Sequence, residues 1–561
     1  MSLRPVISPG LAPENTAQPV PSPHLETWRQ LLGQVREHLS AAGAHPARSV
    51  VLLPYLQLVP LAAGLWAEQF PDGFAPRFET TRTWAARVGM FAPGPNDIAS
   101  DHGRDLLTAA SLLEGAGLGA RRALLTGPLV EQAMQLAPLA ASVPAELRPD
   151  WAEQARAAVP AVQGGPLALE SAVARIAIAW AAASDYATDV LFEPRVAREL
   201  DALVVVNGLQ PDELISSLID HFAERAWALT PETGGPSGRL VLHAARNGED
   251  EAQRAAACVL RHIEAGRVPV ALTAGDRLLT RRISALLAAQ GVRLRDETGW
   301  KLSTTHAAAQ LMAGLRACAH HASTDAVIDW LKLAPAFAEV DAAGIRALER
   351  RLRRDAVRDW ASVAASPEGG ALVSRVAALR DTMQAPRRLP DWLAATQALL
   401  EEAGLWSGMA ADAAGEAVMA ALGLQEAEQA TLQAWPAAQR RMPLPEFTSW
   451  ASDALEAANF RPPVLADAQA VILPMSQLLG RPFAALVLPG ADEQRLPAAP
   501  DPLAPGAPRS ARFCACPRAG CSRPRSARLG GWRSRRLSWM CCGGAATIVE
   551  SLCCLRHWCR P

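Results

Sequence analysis

Seven consecutive residues, Val270-Ala271-Leu272-Thr273-Ala274-Gly275-Asp276, give the clearest indication of how this chain folds. The first three form a continuous apolar run, which is typical of a parallel strand buried on both faces. Asp276 can cap a helix that runs to Gln290 and stops at Gly291. Val292-Arg293-Leu294-Arg295 then alternates apolar and basic residues, like a half-exposed strand. The order strand, helix, strand predicts a right-handed crossover unit of an α/β sheet.

Similar apolar runs recur along the chain and predict further buried strands. They lie at residues 50–53, 203–206, 240–242 and 485–488. Long amphipathic stretches separate them, and the stretch from 251 to 263 places its apolar residues on one helix stripe. We therefore expect an α/β chain built from layers of strands and helices.

The overall composition indicates a multidomain protein outside the membrane. The 561 residues are 50% hydrophobic and 20% charged, enough to bury a large core. Residues 1–24 are rich in Pro and Ser, lack the regions of a signal peptide, and predict a disordered lead-in. The apolar segment 50–67 contains Pro54 and Pro60, so it predicts a strand and a helix rather than a membrane span. We expect a cytoplasmic protein.

The segment 504–561 has a different composition from the rest of the chain. It holds eleven arginines and a single acid, Glu550, so its net charge is +10 and the remainder carries −11 of the total −1. It also holds eight of the ten cysteines: Cys514, Cys516, Cys521, Cys541, Cys542, Cys553, Cys554 and Cys559.

Three explanations of this tail are open. A zinc site usually uses two closely spaced ligand pairs, and the spacing at Cys514-x-Cys516 fits that arrangement poorly. A disulfide framework does not suit the reducing cytoplasm. The tail has no helical or strand periodicity, and GC-rich coding DNA read out of frame encodes this mixture of residues. We therefore favour a shifted reading frame.

A more specific resemblance is carried by four segments in a fixed order. Gly248-Glu249-Asp250-Glu251-Ala252 begins a helix and is followed by the strand and turn at 270–277. Next come Asp296-Glu297-Thr298-Gly299-Trp300-Lys301-Leu302-Ser303-Thr304-Thr305 and then Val471-Ile472-Leu473-Pro474-Met475-Ser476-Gln477-Leu478-Leu479-Gly480-Arg481-Pro482-Phe483. Together they resemble the second motor domain of superfamily 1 DNA helicases, in the form found in the AddB-type subunit of bacterial helicase–nucleases for double-strand break repair.

The resemblance covers most of residues 45–503 and implies an architecture and partners. It implies two degenerate RecA-like (P-loop helicase-like) domains with large α-helical insertions. The first would span 45–238, with a helical insertion at about 81–198. The second would use 239–310 plus 465–500, interrupted by a helical insertion at 311–464. The implied partners are DNA and an AddA-like helicase–nuclease subunit, with no membrane.

The chain departs from the helicase pattern where nucleotide chemistry would lie. The first strand runs into Pro54-Tyr55-Leu56-Gln57-Leu58, without the glycines and lysine that hold phosphates. Asn207-Gly208 stands where an acidic pair for magnesium is expected, and Ser476-Gln477-Leu478-Leu479 replaces the expected His and Lys of the late motif. These departures predict a chain without ATP hydrolysis and without catalytic, cofactor-binding or metal-binding residues.

The family's nuclease domain, of the PD-(D/E)XK type, would use Mg²⁺ and would begin after the late motif. Residues 504–561 hold one acid and no lysine, so no set of ligands can be assembled there. The pair Asp492-Glu493 is expected to be a solvated turn.

Three functions stay open: a non-motor, DNA-binding subunit; a fragment of an active PD-(D/E)XK exonuclease subunit; and a helical interaction protein that needs no DNA.

Six residues are candidate DNA contacts, because Arg, Lys and hydroxyl side chains are the usual phosphate ligands. Three basic residues share one predicted helix, and the others lie in a loop-like stretch after it. A charge cluster on a helix is often only a solvated face, so a structural role is the alternative for each residue. The acidic charge of the body confines any DNA to a local groove. The candidates are Arg277, Arg281, Arg282, Lys301, Thr304 and Thr305.

Overall fold

A computed structural model describes residues 23–159, 167–231, 240–338, 341–364, 370–462, 467–492 and 495. Residues 1–22 and the cysteine-rich tail at 504–561 lie outside this part, so the predictions of a disordered lead-in and of a shifted reading frame stay predictions. In the described part the protein is mixed α/β and mostly helical, with parallel sheets. None of the described helices is long and apolar enough to cross a bilayer.

The described residues form ten strands and twenty-two α-helices. The strands are β1 (Ser49–Leu52), β2 (Arg77–Glu79), β3 (Ala202–Val206), β4 (Ala226–Leu229), β5 (Val270–Thr273), β6 (Leu294–Asp296), β7 (Trp300–Lys301), β8 (Asn459–Phe460), β9 (Ala470–Leu473) and β10 (Ala485–Val487). The helices are α1 (Pro23–Ala41), α2 (Val59–Gln69), α3 (Thr81–Val88), α4 (His102–Gly115), α5 (Arg122–Ala141), α6 (Arg148–Ala158), α7 (Ala168–Ala183), α8 (Pro194–Glu199), α9 (Glu213–Phe222), α10 (Gly248–Glu264), α11 (Arg277–Ala289), α12 (His306–Ala317), α13 (Thr324–Leu333), α14 (Pro335–Ala338), α15 (Ala342–Arg354), α16 (Trp360–Ala364), α17 (Gly370–Thr382), α18 (Leu389–Glu402), α19 (Trp406–Ala411), α20 (Ala413–Leu422), α21 (Glu426–Ala434) and α22 (Leu444–Ala457).

The first sheet is parallel throughout, with the strand order β2-β1-β3-β4. Its central strands β1 and β3 are buried at every position, as the apolar runs predicted. Alternate residues point to opposite faces. Val51 and Val204 join a core with α1 and α2, while Val50 and Leu203 join a second core on the other face.

The second sheet is also parallel, in the order β10-β5-β9-β6. The strand prediction at 270–272 and the Asp276 cap are confirmed, because the Asp276 carboxylate accepts from the backbone N–H groups of Leu278 and Leu279 at 2.8 and 3.1 Å. The predicted crossover joins parallel strands that are not neighbours, since β9 lies between β5 and β6.

The strand predicted at 240–242 is wrong. These residues belong to no strand of the structure, and Leu240 and Leu242 are 45% and 47% exposed. The strands β10, β5, β9 and β6 make up the second sheet, so this short apolar run has no pairing partner among the described residues. Apolar composition alone therefore misidentified an exposed connection as a strand.

The helices that interrupt the two sheets pack into one body with a shared hydrophobic core. That core combines residues of α4 to α7, such as Leu113 and Trp180, with residues of α12 to α22, such as Trp392. Polar contacts join the two sets as well: the Trp450 indole N–H donates to the Gly103 carbonyl at 2.8 Å. The helical segments interrupting the first and second sheets are thus held together by a common interior.

Candidate nucleic-acid interface

The structure places two of the candidate DNA contacts, Arg281 and Thr304, in side-chain contact beside the start of α12, and a third, Lys301, lies just before Thr304 in the chain. Arg281 on α11 donates from Nη2 to the Thr304 hydroxyl at 3.4 Å. Thr304 lies in the single turn after β7, and its hydroxyl donates to the Lys301 carbonyl at 2.7 Å. Arg281 and Thr304 are exposed and Lys301 is half-buried. We call these three residues the Arg281 group; it offers two cations and a hydroxyl of the kind that bind phosphate oxygens.

The other two candidate arginines of α11 differ in their surroundings. Arg277 is exposed in the first turn and forms no hydrogen bond or ion pair within the described part of the chain. Arg282 donates two hydrogen bonds to the Glu249 carboxylate of α10, at 2.8 and 2.7 Å. This bidentate contact raises the pKa of Arg282 and lowers the pKa of Glu249. The Nε and Nη2 atoms of Arg282 are thus engaged by Glu249.

Thr305 is placed as a helix cap. Its hydroxyl accepts from the Ala308 N–H at 3.2 Å and donates to the Leu302 carbonyl at 2.7 Å. The residue is 7% exposed. Because the hydroxyl is buried and already bonded in both directions, the geometry favours the structural alternative for this residue.

We expect Thr305→Ala to lower the free energy of unfolding by about 1 kcal/mol, because the substitution removes the N-cap of α12. Thr304→Ala removes an exposed hydroxyl from the same turn and should change stability by less than about 0.5 kcal/mol. Urea unfolding of both variants measures the difference. Equal losses in the two variants would contradict the assignment of Thr305 as the cap.

Acidic groups surround the Arg281 group and limit its positive potential. The Ser303 hydroxyl donates to the Glu456 carboxylate of α22. His102, at the start of α4, is half-buried near Lys301. Burial lowers the pKa of His102, the carboxylates of Asp453 and Asp101 oppose that shift, and Lys301 adds to it. The neutral imidazole therefore adds no positive charge here near pH 7, and phosphate binding rests on Arg281 and Lys301.

At the carboxyl edge of the first sheet, the turns that follow β1 and β3 pack against each other. A Cβ atom built on Gly208 would lie 3.0 Å from the Pro54 Cβ, so the turn after β1 packs directly on the turn after β3. The Asn207 N–H donates to the Leu229 carbonyl at 2.8 Å, and its side-chain amide donates to the Thr230 hydroxyl at 3.0 Å. Within the described residues this edge offers no glycine-rich loop and no lysine for phosphates.

At the carboxyl edge of the second sheet, one arginine pairs with two acids. Arg495 donates to the carboxylates of Asp276 and Asp492, with Nε and Nη1 at 2.7 and 2.5 Å. The solvated turn expected at Asp492-Glu493 is wrong for Asp492, which is 9% exposed; Glu493 lies outside the described residues. The Arg495 pairing explains how this carboxylate tolerates burial.

The late motif is joined to the first sheet through Trp28 of α1. Trp28 lies in the core of the first sheet, and its indole N–H donates to the Gly480 carbonyl at 2.6 Å. Gly480 has a φ of 70°, and a Cβ there would lie 3.0 Å from the Trp28 ring. The next residue, Arg481, is buried and forms two hydrogen bonds to Glu297. The late motif therefore has a structural role in this chain.

The contacts of these surfaces are ionic and hydrogen-bonding. The described residues contain no group of three or more His, Cys, Asp or Glu side chains that could hold a metal ion. Three of the six candidate DNA contacts form the Arg281 group, Arg277 is exposed nearby, Arg282 is paired, and Thr305 is a cap. No model of a known protein family matches this chain, and a search of curated proteins gives no match either.

Proposed function

We propose that this chain is a DNA-binding subunit without a motor, similar to the AddB-type subunit, and that it acts in the cytoplasm with an AddA-like helicase–nuclease subunit. The observation that carries the proposal is the Arg281 group, in which the exposed Arg281 guanidinium contacts the Thr304 hydroxyl and Lys301 lies directly before the same turn. These side chains suit phosphates rather than bases, so we propose contact with the DNA backbone without sequence preference.

We assign the two sheets to degenerate RecA-like domains. Two features support this assignment: each sheet is parallel throughout, and each is interrupted in the chain by a long helical segment. The interruptions lie between β2 and β3 in the first sheet and between β6 and β9 in the second. The packing of Pro54 on Gly208 supports the loss of the nucleotide site.

We expect Arg281→Ala and Lys301→Ala each to weaken binding of a duplex, because each removes one cation that pairs with a phosphate. The slope of log K against log salt should fall by roughly 0.9 in each variant, with equal effects on duplexes of different sequence. Fluorescence anisotropy with labelled duplexes across a salt series measures both quantities.

The control is Arg156→Ala, which removes an exposed arginine from α6 and should leave the salt slope unchanged. If both site variants bind the duplex with wild-type affinity, Arg281 and Lys301 are not DNA contacts and have a structural role instead. No binding of any duplex at low salt would reject the DNA-binding proposal and favour the helical interaction protein.

A further inference from the structure

Helix α15 carries five arginines among its thirteen residues, with Glu349 as its one acid. Its apolar residues Ile345, Leu348 and Leu352 are buried in the core of the helical body. The arginines therefore occupy the sides of the helix that this core does not cover. They are Arg346, Arg350, Arg351, Arg353 and Arg354.

Three of these arginines form a regular row on the exposed side. Arg346, Arg350 and Arg354 are all exposed and are spaced four residues apart, so they follow each other at steps of about 6 Å along the helix axis. Arg346 and Arg350 make no hydrogen bond or ion pair to any residue that the structure describes. The contact of Arg354 with Asp355 is long, at 3.7 Å. We call this row the α15 face.

The acid of the helix does not neutralise the α15 face. Glu349 is contacted by Lys332 of α13 at 2.8 Å and by Arg353 at 2.7 Å. Lys332 lowers the pKa of Glu349 the most, and Arg353 and Arg350 lower it further. Within the described structure, Arg346 and Arg350 make no direct ion pair with this carboxylate, which Lys332 and Arg353 hold between them.

We infer that the α15 face binds the phosphate backbone of a nucleic-acid duplex, an inference that rests on the proposed DNA-binding function and adds a second contact surface to it. Guanidinium groups bind phosphates through paired, charge-assisted hydrogen bonds. The face is a local exception, because the chain outside 504–561 carries a net charge of −11. An exposed basic row on an acidic body directs a polyanion to one place.

The composition of the face favours a nucleic acid over an acidic protein. The exposed residues of α15 other than its arginines include Ala343 and Ala347, and none of them has an aromatic or large apolar side chain. Protein interfaces have an apolar or aromatic centre, whereas nucleic-acid interfaces are polar and strongly basic.

The helix that carries the α15 face is connected to the Arg281 group through the packing of the helical body. α15 packs on α13, and α13 packs on α12, whose N-cap Thr305 follows the Arg281 group directly.

The test is a salt titration of duplex binding by the full chain with Arg346→Gln and Arg350→Gln combined. Glutamine keeps a good helix propensity, so α15 should stay folded, and the urea unfolding midpoint verifies this. We expect affinity to fall by about tenfold and the salt slope by roughly 1.8, because the double variant removes two cations that pair with phosphates. The matched control combines Arg82→Gln and Arg156→Gln, two exposed arginines on α3 and α6, which impose the same change of net charge.

A site variant that binds DNA like its control overturns the inference. If Arg281→Ala still weakens binding in that case, the proposed function stands and only the α15 face is rejected. If the wild-type chain binds no duplex, both fall. A labelled poly-glutamate peptide is the competing probe: binding as tight as that of the duplex, abolished in the Arg346 and Arg350 variant, would assign the face to an acidic protein and reject the nucleic acid.

Discussion

Arg148→Ala is expected to lower the free energy of unfolding by roughly 3–5 kcal/mol, because it removes a buried guanidinium that pairs with the half-buried Asp189 and donates to backbone carbonyls. Arg148 is 2% exposed and its guanidinium pairs with Asp189. It also donates to the carbonyls of Ser184 at 2.9 Å and Ala140 at 3.1 Å, and lies 4.8 Å from the centre of the Tyr186 ring. The substitution would leave buried carbonyls and a carboxylate without their donor.

Urea unfolding of this variant measures the loss of stability, and a matched control comes from the same helix. Arg156 is exposed near the end of α6, so Arg156→Ala should change stability by less than about 0.5 kcal/mol. A loss below about 1 kcal/mol for Arg148→Ala would contradict the role of Arg148 as the cation that joins α6 to the end of α7 and to Asp189.

A second large effect is expected in the pH dependence of stability. Asp105 on α4 is 1% exposed, and burial raises the pKa of its carboxyl from 3.8 to about 7. One oxygen accepts from the Ala99 N–H at 2.7 Å. The other oxygen and the hydroxyl of Thr108, one turn away, have no hydrogen-bond partner in the described structure. The charges nearby are Asp101, which raises the pKa, and Arg104, which lowers it.

The direction of the pH effect follows from where the proton binds. The folded chain holds a proton on Asp105 up to a pH of about 7, while the unfolded chain releases it near 3.8. Stability should therefore fall as pH rises through this window, by at most roughly 4 kcal/mol from this group. Asp105→Asn removes this titrating group. The free energy of unfolding of the variant, relative to that of the wild type, should therefore rise by at most roughly 4 kcal/mol between pH 4 and pH 8.

Urea unfolding at pH 4, 6 and 8 tests this expectation. Asp150→Asn, at an exposed position of α6, is the control and should follow the wild-type pH profile. Parallel profiles for Asp105→Asn and the wild type would show that the carboxyl is ionised in the folded chain, against the expectation from its burial.

The sequence predicted those parts of the fold that carry a local signal. The central strands β1, β3 and β5 are continuous apolar runs, because both of their faces are covered. The edge strands β2 and β4 were not predicted, since they are short and half-exposed and lack such a run. The prediction at 240–242 failed for the converse reason: three apolar residues in a row do not specify a strand without a neighbour to pair with.

For the candidate site, too, the sequence indicated which residue types to consider but not the contacts between residues on separate helices. Residue type alone identified Arg281 and Thr304, and the structure places them in contact. The pairing of Arg282 depends on Glu249, which lies on another helix, so no local pattern could indicate it. The α15 face was not predicted, although the spacing of Arg346, Arg350 and Arg354 is a signal that periodicity can detect.

Equilibrium titration of a labelled duplex with the full chain, with and without Mg²⁺ and a non-hydrolysable ATP analogue, examines DNA binding and motor loss together. We predict saturable binding that weakens steeply with salt and has the same Kd in both conditions, because the turn after β1 lacks the glycines and lysine of a phosphate-binding loop and its Pro54 packs on Gly208. An absence of binding at about 50 mM salt, or a Kd that changes when the nucleotide is added, would contradict the proposal of a DNA-binding chain without a motor.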